Sequence, residues 1–352
     1  MINYISGLLL GIVFGYVLRK SGICFTGLVR DIYLQKDRYN IILFLTIICV
    51  EGMLYYAFAA AGLIRIPAYL PPFSLLTVAV GSFVFGFGAV MCNGCLTATL
   101  VKCGDGRVGG WLYLAVFMAS AYFFAAGHGI GLSKAARHIA VVDDSIGMRL
   151  SLIPLFIFTA MTALFIVLMI RHDKAYGYSP YEGNRYKGIR HQLFERSWKR
   201  EAGPVGVGLV LGIAFLVSGM TGRQFGIAIT TPVMSWIYMI TKPIETCGGC
   251  NPFDEHFGWG SLLVLGIIIG SFITSVLSGE FKIMKLHRSE VVRGIIGAAL
   301  MGWGGMWGLG CLLGNGLVGT AQFSLKSWYA LVFLVSGIWT STRVFFAPLL
   351  KD

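Results

Sequence analysis

The sequence predicts an all-α polytopic membrane protein: about nine transmembrane helices plus short re-entrant or broken helices, in an inverted internal repeat of four, one and four spans. Three observations carry this. The 352 residues are 56% apolar and only 12% charged, against roughly 25% charged in an ordinary soluble domain, too little polar surface to coat a globule of this size. Apolar runs long enough to cross about 30 Å of hydrocarbon recur from end to end. The two halves also resemble one another at their glycine-rich segments. Glycine is abundant, 47 residues, but follows no Gly-X-Y period, which excludes a collagen and points to close helix packing. The net charge of +12 could suggest nucleic acid; most of the surplus lies in short loops between apolar runs, so no nucleic-acid partner is expected and the charge reads as topology.

The runs fall at 2–18, 41–63, 74–91, 108–128, 151–170, 204–220, 258–278, 291–310 and 327–350. The first has no basic segment before it and is followed by Arg19 and Lys20, so it reads as an uncleaved span with its N-terminus outside. Residues 19–40 carry five Lys/Arg and 171–203 carry eight, whereas 64–73 carry only Arg65. The basic loops, with Lys282, Lys285 and Arg288, then share the cytoplasmic side with the C-terminus. Segment 129–150 falls outside despite Lys134, Arg137 and Arg149, offset by Asp143 and Asp144. Two pieces too short to span, 23–34 and 226–240, follow glycine-rich turns, one in each half, and read as interfacial or re-entrant helices.

Residues 7–15 match 208–216 at six of nine positions, and 86–96 match 302–312 at five of eleven, including both Gly-x-Gly glycines and a Gly-Cys-Leu. Two matches in the same order make spans one to four correspond to six to nine. The organisation is a first repeat (1–128), a linker span with a basic cytoplasmic loop (129–203) and a second repeat (204–352) that enters from the opposite face. In transporters of this plan the substrate site lies near the midplane, where broken helices direct their N-terminal dipoles at anions.

The chemistry-bearing residues are chiefly cysteines, at 24, 49, 92, 95, 103, 247, 250 and 311. Cys49 and Cys103 read as small apolar packing residues. Cys95 and Cys311 occupy equivalent positions, each directly after a glycine, Gly94 or Gly310. A helix broken at glycine leaves backbone N–H groups unpaired and lets the chain approach a ligand, so these two thiols are placed on a pathway. Cys92 with Cys95, and Cys247 with Cys250, form two CxxC pairs that suit a dithiol–disulfide couple. Zinc is disfavoured because the pairs lie on opposite sides of the topology; no metal and no cofactor is expected. Glu51 is the only acid deep within a span, a candidate proton site. The six histidines lie in loops or at span ends. Arg223, Lys102 and Arg107 stand near the mouths, as anchors or as anion-steering charges. No nucleotide-binding loop or hydrolase motif is present, so ATP drive within this chain is not expected.

The Gly-Cys motifs at 86–95 and 302–311, the early SGICFTG (21–27) and the stretch GCLLGNGLVGTAQFSLKSW (310–328) resemble the YeeE/YedE sulphur-transport family. That resemblance implies a transporter, not an enzyme, of a bacterial inner membrane, which imports thiosulfate by passing it between cysteines. It carries this role onto Cys95 and Cys311, with Cys24 of the SGICFTG motif as an accessory. A further pathway cysteine in the second half would be Cys247 or Cys250. It also implies a cytoplasmic sulphur-carrier partner of the TusA/SirA type. Cys92 and the cysteine-rich stretch TCGGCNPFDEHFGW depart from the family pattern. Other sulfur species or selenium remain alternative substrates, and a membrane thiol–disulfide oxidoreductase remains the rival function.

Overall fold

The computed structural model describes residues 2–36, 39–67, 70–125, 129–144, 152–176, 198, 202–221, 225–241, 258–284 and 288–346. The described residues are helical almost throughout. The first half contains α1 (Ile2–Ser21), α2 (Phe25–Gln35), α3 (Tyr39–Ala60), α4 (Leu75–Met91), α5 (Leu96–Gly104) and α6 (Val108–Ala125). A short α7 (Ile130–Arg137) and α8 (Leu152–Tyr176) follow. The second half contains α9 (Ala202–Met220), α10 (Thr230–Thr241), α11 (Trp259–Leu277) and α12 (Arg288–Trp307). It closes with a short helix over 312–321, α13, which contains a π-helical turn at Gly314–Val318, and with α14 (Leu325–Phe345).

Among the described residues seven helical stretches are long and apolar enough to cross a membrane: Ile5–Gln35, Tyr39–Ala60, Leu75–Gly104, Val108–Ala125, Leu152–Lys174, Ala202–Met220 and Trp259–Leu277. The two remaining expected spans, 291–310 and 327–350, coincide with α12 and α14, helices of 20 and 21 residues. The first turns of α12 are polar, with Arg288, Glu290 and Arg293. The fold is thus an all-α polytopic membrane fold. Apolar side chains of the α1, α8, α9 and α11 faces, such as Leu9, Phe156, Ile213 and Phe272, stay exposed, as they must where lipid rather than water is the solvent.

The packing obeys a simple exchange. If α1 is swapped with α9, α2 with α10, α3 with α11, α4 with α12, α5 with α13 and α6 with α14, the contacts map onto one another. Helix α1 packs on α11 as α9 packs on α3; α4 packs on α14 as α12 packs on α6; and α5 packs on α11 and α6 as α13 packs on α3 and α14. The short helices follow: α2 lies against α3 and α14, and α10 against α11 and α6. Helix α8 stands outside the exchange and packs on α3.

Glycine makes these contacts close. A Cβ on Gly11 would lie 2.1 Å from the Leu263 carbonyl oxygen, and one on Gly270 2.1 Å from that of Ile12. Backbones can approach this far only without side chains between them. One small sheet was not anticipated. Phe73 and Ser74 (β1) pair antiparallel with Val142 and Val141 (β2). Ser74 donates its hydroxyl to the Ile139 carbonyl at 2.6 Å and accepts the Thr77 N–H, capping α4. This ties the segment after α7 to the start of α4.

Candidate functional site

The site is built on the two breaks. Helix α4 ends at Met91, and the Cys92 N–H still reaches the Gly88 carbonyl at 3.0 Å. Asn93 then turns left-handed (φ 53°), Gly94 follows at φ 149°, and Cys95 restarts the chain as the N-cap of α5. Helix α12 ends the same way: the Gly308 N–H reaches Gly304 at 2.7 Å, Leu309 has φ 52°, Gly310 has φ 153°, and Cys311 opens α13. The Gly94 and Gly310 N–H groups close matching loops onto Ala89 (2.8 Å) and Gly305 (3.1 Å). Glycine is required at 94 and 310 because an L side chain rarely adopts such a φ. The π-helical turn of α13 accommodates one residue more than α5 contains, so that the Phe323 turn (φ 55°) still mirrors the Gly106 turn (φ 83°).

The cysteines fall into order along this axis. Cys24, N-cap of α2, is half-buried; its sulfur accepts the Gly27 N–H at 3.4 Å. It lines a pocket of about 270 Å³ with Arg19, Asn93, Thr97, Lys102, Asp105 and Arg107, the basic mouth. Cys311 lines a second pocket, of about 290 Å³, with Thr230, Asn315, Gln322 and Lys326. Cys95 borders neither and is 1% exposed. It nevertheless stands within electrostatic reach of both Cys24 and Cys311. A sealed thiol therefore sits between two pockets, each holding one of the other two thiols.

Around these thiols lie the starts of short helices. Cys95 is the N-cap of α5, with its sulfur beside the Thr97 and Ala98 N–H groups at the positive dipole end of that helix. Two threonine hydroxyls, those of Thr26 in α2 and Thr230 in α10, are buried without a hydrogen-bond partner among the described residues, and that of Thr97 in α5 is buried beside the Cys95 sulfur. Buried donors of this kind call for an explanation, commonly a ligand or ion. The pattern was not read from the sequence, although threonine in the first turn of α2, α5 and α10 was available as a signal.

The other expected site residues divide. Cys92 is turned away from Cys95: its thiol donates to the Gly294 carbonyl of α12 at 3.1 Å and lines a separate small pocket with Tyr113 and Arg293. Cys49 and Cys103 are buried, Cys49 among the apolar side chains of the core and Cys103 beneath Gly110. Glu51 is 0% exposed on α3, and neither carboxylate oxygen has a hydrogen-bond partner among the described residues. Burying an unpaired carboxylate costs several kcal/mol. One turn on, Tyr55 packs on Phe215 with ring centroids 4.6 Å apart, and its neighbour Tyr56 donates to the Gln322 carbonyl at 3.3 Å. Cys247, Cys250 and Arg223 lie outside the described residues.

The sulphur-transport family profile matches residues 20–340, which takes in both breaks and all three aligned cysteines. The chain belongs to the sulphur-transport family. It is 32% identical over 340 residues to the Escherichia coli (strain K12) protein named thiosulfate transporter TsuA, covering 96% of this chain and 93% of that one. The Spirochaeta thermophila protein of the same name is 27% identical over 355 residues, covering 97% and 98%. The probable transporter YedE of Escherichia coli (strain K12) is similar over a shorter stretch, 28% identical over 91 residues, 26% of this chain and 23% of that one. Sulphur transport through a helical membrane domain is therefore the activity class in which this chemistry operates.

Proposed function

We propose that the protein imports thiosulfate through a bacterial inner membrane, passing it from Cys311 through Cys95 to Cys24. One observation carries the reading: Cys95 is sealed between two pockets, each of which presents another thiol. The names of the two relatives that match along nearly the whole chain support thiosulfate as the substrate. Gly94 and Gly310 are the hinges of the pathway, and the halves form an inverted repeat, as the exchange of contacts supports. The basic mouth faces the cytoplasm with the C-terminus, and the N-terminus lies outside. Cys247 or Cys250 supplies a further thiol on the outer side, while Cys92 is a positioning thiol rather than a partner in a redox couple. The protein acts as a transporter and performs no net chemistry; a cytoplasmic sulphur-carrier protein removes the product.

The donor set suits the task. Stripping water from a dianion is costly, since even one bare charge loses tens of kcal/mol in a low-dielectric medium. A lysine at the constriction would offset that cost but hold the ion too firmly, and conduction needs release as well as capture. Neutral S–H groups, threonine hydroxyls and helix N-terminal N–H groups are weaker donors that can be exchanged one for the next. Moving two negative charges inward against an inside-negative potential costs about 4.6 kcal/mol per 100 mV, at about 2.3 per charge. Glu51 provides a proton site that offsets part of this.

The test is uptake of labelled thiosulfate by cells lacking other sulphur importers, comparing wild type with Cys95→Ala and Cys311→Ala at matched expression. Uptake in the wild type alone supports the reading. Equal uptake in all three refutes the thiol hand-over, and no uptake in any refutes thiosulfate as the substrate.

A further inference from the structure

The two breaks are alike in backbone but not in charge. At the second, the terminal carbonyl of α12, on Gly308, accepts a hydrogen bond from the Asn315 side-chain amide at 2.8 Å. At the first, the terminal carbonyls of α4, on Cys92 and Asn93, accept from the Lys102 ammonium at 3.2 and 2.8 Å. A helix C-terminus needs donors, and Asn315 shows that a neutral amide suffices in this fold. Lys102 therefore brings a full charge that capping does not require.

That charge is placed beside the pathway. The position a Cβ would take on Gly94 lies 2.8 Å from Ala98 Cβ, 3.5 Å from Lys102 Nζ and 3.8 Å from Cys24 Sγ, so the ammonium and the thiol come close to one another over the bare glycine. An ammonium has three N–H donors; two are engaged by Cys92 and Asn93, and the third has no partner among the described residues. The same pocket is lined by Thr97, whose buried hydroxyl lies beside the Cys95 sulfur, and by Arg107. The neighbouring Arg19 is neutralised by Asp105 (2.8 Å) and Glu280 (2.5 Å), whereas Lys102 and Arg107 have no carboxylate partner among the described residues.

Resting on the transport reading above, we infer that Lys102, Thr97 and Arg107 form a receiving site for the oxyanion end of the substrate, on the basic-mouth side of Cys95 and next to Cys24. The sulfonate oxygens take the ammonium and the hydroxyl, the terminal sulfur faces the Cys24 thiol, and Arg107 at the rim attracts the anion. The opposite break is capped by an amide, and the lysine of its pocket, Lys326, stands beside the Asp144 carboxylate, which offsets its charge, so the two sides of Cys95 bind the same anion unequally. This asymmetry biases the position of the anion toward the basic mouth, from which hydration and a trapping partner release it.

The experiment measures binding of thiosulfate, and of sulfate as a plain tetrahedral dianion, to the purified protein in lipid nanodiscs across a range of ionic strength. Transport is followed in parallel in proteoliposomes. Lys102→Met is expected to weaken binding of both anions about tenfold, the loss of one charge-assisted hydrogen bond, and Lys102→Arg to stay within about threefold of wild type. Arg107→Gln, an exposed position where folding is not at stake, should weaken binding about threefold and flatten its ionic-strength dependence. Unchanged affinity and salt dependence in both Lys102→Met and Arg107→Gln, with the wild type transporting normally, overturns the site and leaves the transport reading intact. Lys102-dependent binding of both anions without transport of thiosulfate supports the site and overturns the transport reading. A wild type that binds neither anion overturns both.

Discussion

Gly88 and Gly297 meet where α4 crosses α12, each at the place where the other's side chain would be. A methyl on Gly88 would stand 2.5 Å from the Gly297 carbonyl oxygen, and one on Gly297 would stand 2.7 Å from the Gly88 oxygen. This reciprocal contact joins the two broken helices just before the turns that present Cys95 and Cys311, so the spacing of the thiols depends on it.

Gly88→Leu and Gly297→Leu should each force the crossing apart, at a cost of about 1–3 kcal/mol. The check is thermal unfolding of the purified protein, which should occur at lower temperature for both. Gly131→Ala, where an added Cβ meets nothing within 4 Å, serves as the control and should melt as the wild type does.

The cysteines should separate by place rather than by chemistry. Cys95→Ala and Cys311→Ala are expected to lower thiosulfate uptake at least tenfold, and Cys49→Ala to leave it within about twofold. Cys92→Ser should keep most of the flux, because a serine hydroxyl can donate to the Gly294 carbonyl as the thiol does. Complete loss in Cys92→Ser would restore the dithiol–disulfide reading.

Glu51→Gln keeps the shape of the side chain and removes its proton exchange. If Glu51 carries a proton with the substrate, thiosulfate entering wild-type proteoliposomes should acidify the lumen, and the mutant should lose that signal. The potential dependence should then steepen by about 2.3 kcal/mol per 100 mV, the value of one uncompensated charge. An internal pH dye reads this directly. A full proton signal in the mutant would leave Glu51 without a coupling role.

The second break tolerates one change and not another. Gly310→Ala would place a Cβ 2.9 Å from the Asn315 Oδ1 at a φ of 153°, and it should lower both stability and uptake. Leu309→Asn copies Asn93 of the first break, and asparagine accepts the left-handed φ of 52° more readily than leucine. Its melting temperature should equal or exceed the wild type's.

Much of the axis was legible in the sequence because its signals are local. Gly-Cys after an apolar run marks a broken helix whichever neighbours surround it, and the structure breaks α4 and α12 at those two places. The half-length runs 23–34 and 226–240 correspond to α2 and α10. The shorter helices α5 and α13 were hidden, since each continues an apolar stretch and only the backbone turn divides it from the span before. The β1–β2 pair escaped because two-residue strands carry no periodic pattern.

What the sequence determined by itself is what one residue's neighbours along the chain decide. It set an apolar, weakly charged chain that can only be a membrane helix bundle, glycines where φ must be positive, and thiols directly after them. What the tertiary structure decided is direction and company. Cys92 and Cys95 are three residues apart, yet one thiol turns to the Gly294 carbonyl and the other sits at the start of α5 beside Thr97 and Ala98, because the turn at Asn93 and Gly94 rotates the chain between them. Lys102 and Asn315 do not resemble each other, and only the folded breaks reveal that both cap the end of a helix. That knowledge depends on contacts between residues distant along the chain, whose energies no local pattern records.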